Sequence, residues 1–392
     1  MLVLEASDRI GGRVQTDEVD GFLIDRGFQV VLSAYPEINE QLDWHDLDLR
    51  GFEAGALVHR RGDFHLIADP RRRPLSAPKA LFDRIVRPRD AVAVIKLLNE
   101  SRNPDAHPAS HGPDITTLEA LRRAGVSASM LEAFWRPFLG GIMLERDLST
   151  SARFLRFVLS MFAAGQAGVP AGGVGRIPEM LAGDLPLGSL RTGAKVKRID
   201  KREVHLKDGE KIRADYVVIA TDGAGAAKLS DEIRAPRMRS VGQISFDGGL
   251  NPPDHGSILV LDGERSGPVN NLQVMSSVAP RYAPNGHSLI TCSILEPDLD
   301  SDDERLEAAA RAQLGGWYGS LVDGWKTLRI DRIENALPAM PVGSLDPAER
   351  PLRLRSWLWV AGDHRSTSSI EGAMASGRHA GEQIAAASDE PR

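Results

Sequence analysis

The sequence predicts an α/β fold in which a parallel-sheet domain is interleaved with an α+β second domain of mixed sheet plus helices. Three observations predict it. Leu2-Val3-Leu4 reads as a short apolar strand that ends on the carboxylate of Glu5. Tyr216 to Thr221 is an apolar run of the kind buried on both faces of a parallel sheet. Leu358 to Ala361 is a third such run; it ends in Gly362-Asp363 and leads through the polar residues His364 to Ser368 into a helix starting near Ser369.

The opening strand resembles the second strand of a dinucleotide-binding βαβ unit. There an acidic residue about 20 residues past a G-x-G-x-x-G turn takes a ribose. Glu5 has that local setting, but no G-x-G-x-x-G stands ahead of it, so the domain is expected to be N-terminally truncated by one βα unit. A strand-end glutamate is equally an ordinary surface residue. Gly11-Gly12 permits a close backbone approach that a Cβ would block, and Arg13 offers a planar fork suited to phosphate. A tight turn carrying a surface arginine fits the same residues.

At the other end, Ser368 or Ser369 is a suitable N-cap, and Glu371 puts negative charge in the first turn. Ala373, Gly377 and Gly381 recur every four residues and form one stripe of minimal side chains. Such a stripe lets the helix lie close to a strand or a flat ring, and its N-terminus suits an electron-rich acceptor.

Together, Leu4 to Arg13 and Val360-Ala361-Gly362-Asp363 with Ser369 to Ala373 resemble the FAD-dependent amine oxidase superfamily. That superfamily includes protoporphyrinogen oxidases and phytoene desaturase-like enzymes. Asp25 to Val30, followed by Ala34-Tyr35-Pro36, leans toward the desaturase-like branch. The resemblance implies a Rossmann-like FAD-binding domain with FAD as cofactor. It implies that Glu5 binds the adenosine ribose and Arg13 the pyrophosphate, while Gly12, Gly27 and Phe28 line the flavin. Asp363, beside Gly362, would hold the ribityl chain or pyrophosphate, and the backbone at Ile370 and Ala373 would meet the flavin. Val196 would contact adenine through its backbone, although an ordinary β-meander edge accounts for it as well.

Val169 to Leu181 reads as a glycine turn running into a helix. It is followed by a strand over Leu190 to Ile199 and a hairpin at Lys207 to Glu210. The FAD-binding domain is expected to comprise residues 1–55, 170–236 and 338–392, and the substrate domain residues 56–169 and 237–337, with Pro/Gly-rich joints between. The first insert reads as helical from about Ala80 to Glu100 and from Thr117 to Met161, around a polar, Pro-broken loop at 102–114. The second reads as strands near Ser240–Phe246, Ser257–Leu261 and Ser288–Ile294, with a helix from Asp302 to Leu314. The acidic run Asp298 to Glu304 suits the N-terminus of that helix.

Composition is that of a globular protein, with 42% apolar and 26% charged residues, and the net charge of −6 gives no reason to expect nucleic acid. The single cysteine, Cys292, excludes an internal disulfide and a cysteine metal cluster, and it reads as a core thiol. No secretory signal is apparent, and no apolar run reaches the roughly 18 residues of a membrane span, so the expected location is the cytoplasm. A basic segment, 71–98, carries Arg71-Arg72-Arg73, Lys79, Arg84, Arg87 and Arg89 beside apolar residues. It fits peripheral contact with an anionic membrane, or a helix with a solvated basic face.

In such a protein the cofactor carries the chemistry. The expected activity is that of an FAD-dependent oxidoreductase (dehydrogenase, desaturase or oxidase) moving hydride from a lipophilic small molecule to flavin N5. The alternatives are a flavin-dependent isomerase without net oxidation, or a truncated product unable to hold FAD. The ten histidines are scattered, with no metal-binding spacing, so no metal is expected and no catalytic acid or base is assigned. His364 could approach the flavin or be a plain polar loop residue. Aromatic content is 5% and no aromatic pair flanks the motifs as an amine cage would, which favours an apolar substrate.

Overall fold

The computed structural model describes residues 1–68, 85–101, 113–347 and 349–389. Half of the basic segment (71–84) and most of the Pro-broken loop (102–112) therefore lie outside the described residues.

The two inserts build one seven-stranded sheet. Its order is Lys326–Pro338, Met238–Asp247, Leu289–Leu295, Val269–Val274, Leu259–Asp262, Ala56–Arg60 and Asp63–Ile67. The parallel pairing of Leu259–Asp262 with Ala56–Arg60 joins the inserts. Alternation along the strands separates two faces. Ile244, Leu272 and Cys292 point to one side, where they pack on Leu306, Ala310 and Leu314 of helix Asp303–Tyr318. Each such side chain contributes roughly 2 kcal/mol on burial. Asp302 caps that helix by accepting from the Arg305 amide at 2.9 Å, in keeping with the acidic run expected there. Four of these strands, Val269–Val274, Lys326–Pro338, Ala56–Arg60 and Asp63–Ile67, have no counterpart in the sequence reading.

The stretch from Thr117 to Met161 is broken where the sequence suggests continuous helix. Thr117–Ala124 ends at Gly125, whose φ is +97°. Ser127 then caps the next segment by accepting from the Met130 amide at 3.2 Å. A π-turn, Leu131–Trp135, leads into Arg136–Met143, where Pro137 supplies no amide hydrogen to the helix ladder. Ser151 starts Ala152–Ala164 by accepting from the Arg153 amide at 3.1 Å. Ahead of these lies Pro88–Ser101; residues 85–87, inside the expected Ala80–Glu100 helix, are not helical, and 80–84 lie outside the described residues.

The remaining elements are smaller. Val3–Leu4 pairs in parallel with Leu190–Arg191, and Val217–Ile219 in parallel with Leu358–Val360. The expected Leu190 to Ile199 strand is two pieces, because Gly193 turns the chain at φ +67° before Val196–Asp200. Ser369 caps the long helix Ile370–Asp389, accepting from the Gly372 amide at 3.0 Å. Among the described residues no helix is long and apolar enough to cross a membrane.

Candidate active site

The glycine pair after the first strand sets the geometry. Gly11 and Gly12 have φ of +105° and +58°, and a Cβ on Gly11 would collide with the Val14 carbonyl. This turn aims Arg13 across the fold. Its Nη1 donates to the Ala336 carbonyl at 2.8 Å and its Nη2 to Asp363 Oδ2 at 2.8 Å. The partners of this ion pair are 350 residues apart in sequence. Asp363 is 3% exposed; burial pushes its carboxyl above the usual range, opposed by Arg13. Its other oxygen, Oδ1, is buried with no hydrogen-bond partner among the described residues.

Around this pair opens a cavity of about 3350 Å³, several times the usual small-molecule site. Glu5, Gly12, Arg13, Gly27, Phe28, Val196, Gly362, Asp363, Ile370 and Ala373 all line it, so the ten residues expected to bind the cofactor face one space. Glu5 Oε1 accepts from the Ser7 amide and hydroxyl at 2.7 and 2.8 Å, which fixes the turn that follows the strand. Gly377 and Gly381 also line the cavity, and a Cβ on Gly12, Gly377 or Gly381 would meet nothing within 4 Å. The open glycine backbones and the unsatisfied Asp363 oxygen fit a long ligand rich in hydroxyl and phosphate groups, as FAD is.

A family model of the flavin-containing amine oxidoreductases matches residues 1–385. The chain belongs to that family. FAD is the cofactor that membership implies, and the chain is a flavin-dependent oxidoreductase by family. Solved structures share its fold. An oxidoreductase from Methanosarcina mazei aligns at TM-score 0.73 and 17% identity, covering 97% of this chain and 93% of the other. Reduced UDP-galactopyranose mutase aligns at 0.70 and 16%, covering 99% and 90%. A triple mutant of putrescine oxidase aligns at 0.69 and 14%, covering 98% and 93%. No curated protein matches the sequence.

Several residues shape the site of this amine oxidoreductase family member in roles that their sequence did not suggest. Asp25 is fully buried and holds the loop that carries Gly27 and Phe28. Its carboxylate accepts from Thr16 Oγ1 at 2.6 Å, Tyr282 Oη at 2.7 Å and the Val174 amide at 3.1 Å. Burial raises its pKa to about 6 despite these bonds. Gln243 Nε2 donates to the Asp25 carbonyl at 3.0 Å, tying the same loop to the large sheet. Glu371 does more than complement its own helix. It accepts from the Glu37 amide at 3.1 Å, so it caps Pro36–Gln41, and burial raises it to about 7. The sequence signal for both is a carboxylate in an otherwise small or apolar setting.

His364 does not line the cavity. It is 2% exposed and sits beneath Gly362, where a Cβ would lie 2.7 Å from its Nδ1. Neither ring nitrogen has a partner among the described residues, and burial, with Arg365 and Arg350 nearby, lowers its pKa to about 4. Cys292 is fully buried on the far face of the sheet, as a core thiol. Among the described residues no cluster of three or more acidic, histidine or cysteine side chains could hold a metal.

Part of the cavity is walled by apolar residues, an apolar chamber. Helices Pro88–Ser101, Arg136–Met143 and Ala152–Ala164 bring Ile95, Leu98, Phe138, Phe154 and Phe157 to its wall. Phe134 and Phe138 stack at 5.2 Å, and Phe138 meets Phe162 at 5.7 Å. Asp90 is the charged residue these helices contribute among the described residues. Its carboxylate is consumed by the Arg87 and Ser127 amides and the Ser127 hydroxyl, at 2.6 to 2.8 Å.

Proposed function

We propose that this protein removes hydride from a C–H bond of an apolar small molecule. The adenine end of FAD would lie by Glu5 and Val196, and the pyrophosphate and ribityl chain by Gly12, Arg13, Gly362 and Asp363. Gly27, Phe28, Ile370 and Ala373 would receive the ring. When bound, FAD supplies the hydride acceptor at its N5. The protein's part is to orient the substrate and exclude water: the phenylalanine-walled chamber would do both, and Asp363 would accept a cofactor hydroxyl hydrogen at Oδ1. In this reading residues 1–55, 170–236 and 338–392 form the FAD domain and the two inserts the substrate domain.

The observation that carries the reading is the Arg13–Asp363 ion pair, which brings both motif-bearing ends to the rim of the cavity that contains the chamber. The test is to purify the protein with FAD, measure flavin absorbance, and then add apolar alkenes and amines without oxygen. Bound flavin that bleaches on addition of an apolar compound is the expected result. Protein that retains no flavin at saturating FAD overturns the reading. Turnover without consumption of an electron acceptor would assign an isomerase, the chemistry class to which the structurally similar mutase belongs.

A further inference from the structure

Two strand edges open onto the cavity without a partner. Among the described residues Val3–Leu4 pairs only with Leu190–Arg191, and Val217–Ile219 ends its sheet, paired only with Leu358–Val360. Hydrogen-bond direction shows which residues face the open side. The Val3 and Glu5 amides donate to the Ser189 and Arg191 carbonyls at 2.7 and 2.9 Å, so Leu4, between them, turns its amide and carbonyl the other way. The Val217 amide donates to the Trp357 carbonyl, and the Ile219 carbonyl accepts from the Ala361 amide, both at 2.9 Å. Val218 therefore also turns its backbone groups away from its own sheet.

The two edges belong to one layer. Leu4 packs against the cluster that buries Val217, Ile219, Val204 and Leu206, so both strands rest one face on the small sheet of Val196–Asp200, Glu203–Leu206 and Lys211–Arg213. Their other face is bare: Val3 and Val218 are 36% and 41% exposed. Val3, Leu4, Val217, Val218 and Ile219 all line the cavity. The free N–H and C=O groups of Leu4 and Val218 need acceptors and donors of their own. One extended chain carries both kinds of group on both of its edges, whereas a hydrocarbon ligand would leave all four unsatisfied.

We infer that the gap between Val3–Leu4 and Val217–Ile219 is a binding site for an extended apolar segment of a partner polypeptide, added to both edges as one more strand. The partial charges on the Leu4 and Val218 backbone groups are complementary to those of such a strand. Its alternating side chains would cover Val3 and Val218 on one face and meet Leu4 on the other. The site is formed by other residues than the phenylalanine-walled chamber and does not rest on the cofactor reading. Amide hydrogen exchange of the full chain, read by NMR with and without the peptide acetyl-Lys-Val-Ile-Val-Ile-Lys-amide, tests it. The peptide slows exchange of both the Leu4 and the Val218 amide by about tenfold or more, the worth of one hydrogen bond, and its fully N-methylated counterpart, which cannot donate, does not. Val218→Pro deletes one donor at an edge position, where proline is tolerated, and weakens peptide binding about tenfold. Val218→Lys keeps that donor but charges the apolar face, and weakens binding as well, so the result does not depend on the proline variant folding. Unchanged exchange at millimolar peptide, slowing at only one of the two amides, equal slowing by the N-methylated peptide, or undiminished binding in both variants overturns the inference.

Discussion

Two buried groups near the cavity respond to pH in opposite directions. His364 has an ordinary pKa of 6.5 and a folded value of about 4, so its contribution is fully present above 6.5 and lost as pH falls through about 4. Asp25 moves the other way, from 3.8 to about 6; its contribution is fully present below 3.8 and lost as pH rises through about 6. Each shift is equivalent to about 3 kcal/mol. His364→Leu should therefore flatten the fall in Tm between pH 6.5 and 4, a window set by the His364 shift. Asp25→Asn, which keeps one acceptor oxygen, should flatten the decline from pH 4 to 6, the Asp25 window. Scanning calorimetry across that range checks both, and curves parallel to the parent protein would refute the assignment. Neither effect was legible in sequence. His364 follows Asp363 in a polar run, and only its tertiary position beneath Gly362 strips it of partners.

At the scale of elements, legibility followed the hydropathy pattern and failed where the pattern was broken for a reason. Leu358–Val360 is apolar and Leu289–Leu295 largely so, both are buried, and hydropathy alone identifies them. Val269–Val274 is as deeply buried, but its Asn270, Asn271 and Gln273 carry no strand signal, because tertiary hydrogen bonds make their burial tolerable. Lys326–Pro338 lies at the sheet edge, where charged residues are accepted and alternation is blurred. The break after helix Thr117–Ala124 is encoded by Gly125 and Ser127, a C-terminal glycine followed by an N-cap, within a run whose apolar content reads as continuous helix. Helix Pro88–Ser101 supports a separate proposal, peripheral membrane contact. Val92 and Ile95 are 67% and 58% exposed, Arg87 and Arg89 stand at its start, and Ile95 also lines the cavity. Such a helix on an anionic surface would admit apolar substrate directly. Co-sedimentation with phosphatidylserine vesicles at low salt, weakened by added salt and by Val92→Glu with Ile95→Glu, is the expected outcome; no pelleting at low salt ends the proposal.

For the molecule as a whole, the site depends on segments far apart in the chain meeting at one place, which a sequence motif can suggest and only the fold can deliver. The residues read as cofactor-binding all reach one cavity because Gly11-Gly12 directs Arg13 onto Asp363. This makes the ion pair both a closure of the fold and part of the rim of the proposed cofactor site. A ligand that binds the folded state alone raises stability by mass action, about 2.7 kcal/mol at a hundredfold excess over Kd. For a chain of 392 residues that corresponds to a rise in Tm of roughly 3 °C. FAD should produce such a rise in the parent protein. Asp363→Ala removes the unsatisfied Oδ1 and leaves Arg13 without its carboxylate, so it should lower the starting Tm and abolish the FAD-dependent rise. Gly377→Leu keeps the ion pair but fills the open face of helix Ile370–Asp389, so it should abolish the rise while leaving the starting Tm near the parent value. The pair of variants separates cofactor contact from fold closure. An undiminished FAD response in both would place the cofactor elsewhere, and the cavity around Arg13 and Asp363 would need a different ligand.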